Sequence, residues 1–254
     1  MGIQMSNFKR LPYQDRDDWL RLRSHGVGGS DASCIIGQNP YKTNLRLWQE
    51  KMGLVEADDI SDKPYVIYGT NAENPIRLIF EYDYKYLLKV SHSSEILLRE
   101  DKPYIRGSLD GELEVIEDFS LMSYWKPYYN KKMEDELNIV PDPVVLLKGM
   151  KGVLEIKTTE VVSSMHKEKW HNSIPMNYYV QCLHYLLITD YDFVILRAQL
   201  KHTDNNGVMT LETRDYCFLK EGREKDLEYL EKEVDYFWLE NIQKGIEPPL
   251  KINF

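Results

Sequence analysis

Four ionisable residues are placed so that together they could cut a phosphodiester: Glu73, Asp110, Glu155 and Lys157. Glu155 and Lys157 lie in Gly152-Val153-Leu154-Glu155-Ile156-Lys157-Thr158, a short run with alternating apolar positions and several β-branched side chains. Such a run reads as a buried strand. Successive strand side chains point to opposite faces, so Val153, Glu155 and Lys157 share one face while Leu154 and Ile156 share the other. A carboxylate and an ammonium on an otherwise apolar element are costly to bury unless they are paired or bind a metal. A plain structural ion pair would meet that condition, but two more acids fall on predicted rigid elements, Glu73 on a helix and Asp110 on a strand. Hard cations such as Mg²⁺ take oxygen ligands, keep several waters, and are commonly held by a few carboxylates together with substrate phosphate. One or two such ions can orient a water, lower its pKa and stabilise the charge developing on a cleaved phosphodiester. A lysine beside them can stabilise the same charge or position the attacking water.

A second constellation could hold phosphate. Trp19 to Leu22 reads as the end of a short helix that delivers Arg21 and Arg23 just before Gly26-Val27-Gly28-Gly29-Ser30-Asp31. Glycines there permit a tight turn, and Ser30 or Asp31 is a good N-cap for a helix over residues 32–36. Free backbone amides would then sit beside a hydroxyl and two guanidinium groups, a plausible phosphate cradle. The Lys-Ser/Thr pair of a P-loop is absent. An ordinary glycine-rich connector remains the alternative.

The elements that must position these residues follow from periodicity and punctuation. Asn44 to Met52 predicts a second short helix, Glu56 to Lys63 an exposed loop, and Tyr68-Gly69-Thr70-Asn71 the start of a helix running to about Tyr84. Glu73 then falls in a first helical turn, where the dipole favours a carboxylate, and that role alone would account for it. Ile96 to Leu98 and Ile105 to Val115 read as antiparallel strands joined around Lys102-Pro103, with Asp110 inside the second because alternation continues on both sides. Residues 119–148 break the pattern: Tyr124, Trp125, Tyr128 and Tyr129 stand among lysines and prolines with no clear period. This is a long insertion or a small sub-domain, whose aromatic and basic residues could stack on bases or plug a loop. Beyond the Glu155 strand, Glu160 to His171 reads as mostly helical and Asn177 to Ile188 as a helix with Gln181 and Tyr185 on one face. Strands over Phe193 to Lys201 and Met209 to Phe218 flank Asn206-Gly207, a strong hairpin signal. Lys220 to Lys244 is an acidic amphipathic helix.

A chain of 254 residues with 43% hydrophobic content can fill one large core. No apolar run is long enough to span a bilayer, and the first ten residues lack a signal-peptide core. Cys34, Cys182 and Cys217 are scattered, which fits a reducing compartment and neither a zinc nor an iron–sulfur ligand set. The net charge of −9 argues mildly against nucleic-acid binding, yet residues 1–46 carry seven Lys/Arg against four Asp/Glu while residues 219–254 carry six against nine. One basic face can coexist with an acidic remainder.

The order helix acid, strand Asp, Glu-x-Lys strand, then a helix with Gln-x-x-x-Tyr resembles the PD-(D/E)xK nuclease superfamily, with Leu109-Asp110-Gly111 and Glu155-Ile156-Lys157 as its core motifs. Within it the chain resembles the YqaJ-type viral recombinases, relatives of lambda exonuclease, through Gly28-Gly29-Ser30-Asp31-Ala32, Asn39-Pro40-Tyr41, Gly69-x-x-x-Glu73 and Gln181-x-x-His184-Tyr185. These features span residues from about 20 to 200. The resemblance implies that Glu73, Asp110 and Glu155 hold metal, with the Ile156 carbonyl a further ligand, and that Lys157 is the catalytic lysine. It implies that Arg23 and Ser30, seven apart, and Ser108, two before Asp110, bind a terminal 5′-phosphate. Gln181 and Tyr185 would support the site and contact DNA.

The expected fold is α/β, a mixed central sheet flanked by helices on a restriction-endonuclease-like core. Residues 1–254 would form a single nuclease domain, with a helical phosphate-binding portion over about 1–55, an insertion over about 119–148 and an acidic C-terminal helix over about 220–244. The expected activity is Mg²⁺-dependent (Mn²⁺ as the alternative) 5′→3′ digestion of 5′-phosphorylated duplex DNA ends, with no iron–sulfur cluster. The 3′ single-stranded tail would pass to a single-strand annealing protein during phage-type recombination. By resemblance the chain would be a homo-oligomer such as a ring-shaped trimer, in the cytoplasm of a bacterial host and encoded by a phage or prophage. Rival expectations are an endonuclease on the same core, a non-catalytic DNA-end-binding module, and, more weakly, a phosphate-binding metabolic enzyme.

Overall fold

The strand that carries Glu155 and Lys157 is the axis of a five-stranded mixed sheet. In the computed structural model, which describes residues 8–123, 143–161, 163, 168–171, 173–203 and 207–251, the strands are β1 (Phe8–Pro12), β2 (Leu88–Ser91), β3 (Glu95–Arg99), β4 (Arg106–Gly107), β5 (Gly111–Val115), β6 (Phe119–Leu121), β7 (Val144–Leu146), β8 (Lys151–Val161), β9 (Phe193–Thr203) and β10 (Met209–Leu219). The described helices are α1 (Arg16–Ser24), α2 (Gly29–Ile35), α3 (Asn44–Lys51), α4 (Pro64–Asp83), α5 (Met176–Thr189) and α6 (Glu224–Tyr236). The main sheet has the order β10-β9-β8-β5-β2, and β1-β3-β4 form a smaller one. β8 pairs parallel with β9 and antiparallel with β5. A parallel pair needs a crossover, and α5 lies in it.

Alternation along β8 divides the core as its sequence predicts. Val153 packs with Val194, Leu196 and Ala198 among residues of α2, α5 and α6. Leu154 and Ile156 pack on the other side with Ile76 and Phe80 of α4. Glu155 and Lys157 therefore project toward α5, while α4 covers the opposite face.

Several expectations need correction. Asp110 is not within a strand: β4 pairs with β3 in the small sheet, β5 pairs with β2 and β8 in the large one, and Ser108-Leu109-Asp110 is where the chain changes sheets. Alternation persists on both sides because both halves are strands. The helix carrying Glu73 begins at Pro64, whose fixed φ suits a first helical position, so Glu73 lies midway along 20 residues and not in a first turn. Glu160 and Val161 belong to β8, still paired with Lys201 and His202 of β9; the rest of the expected 160–171 helix is largely outside the described residues. Gly28, not Ser30 or Asp31, is the N-cap of α2, and its N–H donates to Asp31 Oδ2 at 3.0 Å. The last helix stops its α pattern at Tyr236 and widens into a π segment, Phe237–Ile242, where Asn241 O accepts from the Trp48 indole at 3.0 Å.

β6 and β7 pair with each other at the base of the 119–148 insertion. Tyr124, Trp125, Tyr128 and Tyr129, like Asn206 of the hairpin, lie outside the described residues. Among those described, no helix is long and apolar enough to cross a membrane.

Candidate nuclease site

A cleft of about 260 Å³ joins the two constellations, with Arg23, Ser30 and Ser108 at one end and Asp110, Glu155 and Lys157 at the other. Gln181 and Tyr185 of α5 also line it. Thus eight of the sequence-predicted side chains line one cleft, while Glu73 does not.

At the carboxylate end, β5 hydrogen-bonds to β8 only as far as the Gly111–Leu154 pair. The Asp110 side chain continues that ladder: its Oδ2 accepts from the Ile156 N–H at 2.7 Å. Glu155 is 1% exposed. Its Oε1 accepts from Lys157 Nζ at 2.5 Å and from Gln181 Nε2 at 2.7 Å. Gln181 Nε2 also donates to the Tyr185 hydroxyl at 2.8 Å. The Glu155 Oε2 atom is buried with no hydrogen-bond partner. Asp110 stands beside Glu155, and two acceptors can bond only by sharing a proton.

The electrostatics follow from this crowding. Burial, then the charge of Glu155, pushes the Asp110 carboxyl well above its ordinary pKa. Burial likewise raises Glu155, against the pull of Lys157. For Lys157, burial favours the neutral amine, but the charges of Glu155 and Asp110 outweigh it and the ammonium is held firmly protonated. Its Nζ lies 5.2 Å from the centre of the Tyr178 ring, a cation–π placement.

At the Arg23 end the polar groups meet one another. The Arg23 guanidinium donates to Ser30 Oγ and stands 3.9 Å from Asp31. Asp31 is buried and also meets Lys51 at 3.0 Å. Burial would raise its pKa, but Lys51, Arg23 and the Gly28 N–H hold it well below the usual carboxylate range. The Trp19 ring lies under Arg23, 4.9 Å from the guanidinium carbon, and its indole N–H donates to Ser108 Oγ at 3.3 Å. Tyr185 wedges between the two halves. A Cβ on Gly29 or Gly107 would come within 2.9 or 2.8 Å of its ring, so only glycine allows both backbones to close on it.

Sequence reasoning missed Trp19, Asp31, Lys51 and Arg77 as parts of the site. The Trp19–Arg23 and Glu73–Arg77 spacings, each i,i+4 on a helix, were available signals. Arg77 is buried; its Nη1 donates to Glu73 Oε1 at 3.1 Å and to the Asp110 carbonyl at 2.8 Å.

Among the described residues, no three His, Cys, Asp or Glu side chains are gathered closely enough to hold a metal ion alone. The adjacent Asp110 and Glu155 carboxyls nevertheless fit a hard divalent cation that keeps several waters. The orphaned Glu155 Oε2 is an acceptor left for such a cation.

Residues 18–192 match the YqaJ-like viral recombinase domain. The uncharacterized protein YqaJ of Bacillus subtilis (strain 168) is 28% identical over 172 residues, 67% of this chain and 41% of that protein. African swine fever virus protein D345L is 43% identical over 47 residues, 18% of this chain and 14% of that protein. The aligned parts thus span less than half the length of both relatives. The crystal structure of an alkaline exonuclease from Laribacter hongkongensis superposes with a TM-score of 0.55 at 13% identity, covering 90% of this chain and 94% of that one. The same enzyme in complex with dAMP gives 0.52 at 14% identity, with the same coverage. These two establish a shared α/β fold.

Proposed function

The chain belongs to the YqaJ-like viral recombinase family, and from that premise and the site's geometry we propose that it is a metal-dependent nuclease that degrades duplex DNA from 5′-phosphorylated ends. The observation that carries this reading is the single cleft with Arg23, Ser30 and Ser108 at one end and Asp110, Glu155 and Lys157 at the other. The structural likeness to an enzyme described as an alkaline exonuclease is consistent with it.

Arg23 binds the terminal phosphate by charge-assisted hydrogen bonds, with the Ser30 and Ser108 hydroxyls completing the contact. Asp110, Glu155 and the Ile156 carbonyl would hold the divalent ion, and Glu73 on α4 adds its negative charge to the field at both acids. When bound, Mg²⁺ or Mn²⁺ supplies a water of lowered pKa and neutralises charge on the scissile phosphate. Gln181 fixes the Glu155 carboxylate through Oε1, leaving Oε2 as the ligand atom. The metal-free site holds Lys157 as an ammonium, and in that form it would stabilise the developing charge and orient the water as a donor. Digestion runs 5′→3′ and leaves a 3′ single-stranded tail for a single-strand annealing protein. A closed trimeric ring would retain the duplex between cuts.

The test is digestion of linear duplex with and without a 5′-phosphate, beside a closed circle, in Mg²⁺, Mn²⁺ and EDTA. Metal-dependent loss of the 5′-phosphorylated strand alone, absent in Glu155→Ala and Lys157→Ala, is expected. Cutting of the circle would make the chain an endonuclease. Tight end binding without cutting would make it a binding module and overturn the enzymatic reading.

A further inference from the structure

Trp19 lines the cleft and touches two of the three groups assigned above to the terminal phosphate. Its ring lies 4.9 Å from the Arg23 guanidinium carbon, and its indole N–H donates to Ser108 Oγ at 3.3 Å. The third group, Ser30, is met by Arg23 itself, whose Nη2 donates to Ser30 Oγ. A second bond ties α1 to the strand just before Ser108, from Arg106 Nη1 to the Leu22 carbonyl at 2.7 Å. These bonds also fix which way the two hydroxyls point. An indole and a guanidinium donate and never accept. Ser30 Oγ and Ser108 Oγ are therefore the acceptors, and each hydroxyl proton is turned away from its partner. Among the described residues neither hydroxyl donates to another group. Both O–H groups are donors lining the cleft, beside the Arg23 guanidinium.

We propose that Trp19 sets the preference for a 5′-phosphate over a 5′-hydroxyl, by holding Arg23 in place and turning the Ser108 hydroxyl into a donor. This rests on the 5′-phosphate reading of the cleft and names the residue that tunes it. An ionised phosphate presents acceptors to its surroundings, whereas a terminal hydroxyl also carries a proton that needs an acceptor. A cleft end that offers donors favours the first, and most strongly where the acceptor is charged. The ring also orients the guanidinium. Asp31 stands 3.9 Å from Arg23, beyond hydrogen-bond distance, so Trp19 and Ser30 are the groups that aim its fork. Trp19 is thus a positioning residue, acting through Arg23 and Ser108. If it only anchored α1 to the body, its loss would weaken binding of every DNA end alike.

Binding to two short duplexes that differ only at the 5′ end tests this without cleavage. Affinity for the phosphorylated and the hydroxyl end is read by fluorescence anisotropy in EDTA at one fixed salt concentration. Trp19→Phe keeps a ring under Arg23 and removes the indole donor. The affinity ratio should then fall about tenfold, the worth of one hydrogen bond to a charged group. Trp19→Leu removes the ring as well and should lower the ratio further. Ser108→Ala should act as Trp19→Phe does, and the two changes together should do little more than either alone, because both break one linkage. An unchanged ratio in folded Trp19→Phe, or effects that add in full in the double variant, would overturn the proposal. If Trp19→Leu does not fold by circular dichroism, Trp19→Phe and the double variant decide. Equal affinity of the wild type for both ends would instead overturn the 5′-phosphate reading on which the proposal stands.

Discussion

The two ends of the cleft are built on opposite principles. At the phosphate end, Arg23, Ser30, Asp31 and Lys51 already satisfy one another, and the buried Asp31 is held ionised by two cations and a backbone N–H. At the carboxylate end, Asp110 and Glu155 crowd together, both are driven toward protonation, and Glu155 Oε2 has no partner. One end is balanced within itself. The other is not, and the imbalance shows at Glu155 Oε2. A folded protein tolerates such an unsatisfied group where function requires it, and much less readily elsewhere.

The contrast can be broken in graded steps. Glu155→Gln removes the charge and ligand of the unbalanced end, so cleavage should fall by about a thousandfold or more, as losses of transition-state charge stabilisation do; single-turnover digestion in saturating Mg²⁺ measures it. The same change takes away the carboxylate partner of the Lys157 ammonium, so it should lower thermal stability without metal. At the balanced end the effect is read in stability. Asp31→Asn should cost about 3 kcal/mol of unfolding free energy near neutral pH, because it leaves Lys51 and Arg23 without their buried partner.

The pH dependence sharpens that step. The Asp31 pKa is lower folded than unfolded, so its stabilisation is present above the ordinary carboxylate pKa of about 4. It is lost as pH falls through the depressed folded value. Wild type and Asp31→Asn should therefore converge in urea melts as pH drops below about 4, and a gap that widened there would contradict the ion-pair assignment. Gly107→Ala, which presses a Cβ against the buried Tyr185 ring, should cost about 2 kcal/mol by overpacking and reduce activity through displaced Gln181. The smallest effect is expected from Tyr178→Leu. It removes the aromatic face near Lys157, worth about 1 kcal/mol, and should lower kcat while leaving the preference for a 5′-phosphate intact.

How much of this was legible depended on whether a residue's neighbours were local. The β8 strand could be read because period-two alternation is an intrinsic property of a strand, and both cores divide along it. The family resemblance and the α/β fold rested on motifs with fixed spacing, and the family match spans them. The resemblance assigns Arg23 and Ser30 to one terminal phosphate without placing them against each other, and the chain brings the two side chains into hydrogen-bond contact. Asp110 was misread because strands on either side of it alternate alike, although they belong to different sheets. Nothing local marks such a change. Arg77 was overlooked for a related reason: four residues after Glu73 it reads as an exposed helix pair, and only burial and the distant Asp110 carbonyl give it another meaning. Asp31, like Ser30, reads by its type as a candidate cap, and its two cationic neighbours are the part that sequence spacing does not reveal.

The register of β5 on β8 has one more consequence. Gly111 faces Leu154 beside the carboxylates, and Glu114 faces Lys151 at the other end of the ladder. The β6–β7 ribbon branches from that second end, roughly 14 Å along the strands from Asp110 at about 3.4 Å per residue. Lengthening or shortening the excursion between β6 and β7 therefore leaves the spacing of Asp110 and Glu155 unchanged. A fluorophore or a foreign module grafted at the same place would report on the cleft, or redirect the chain, while leaving the two acids at their spacing.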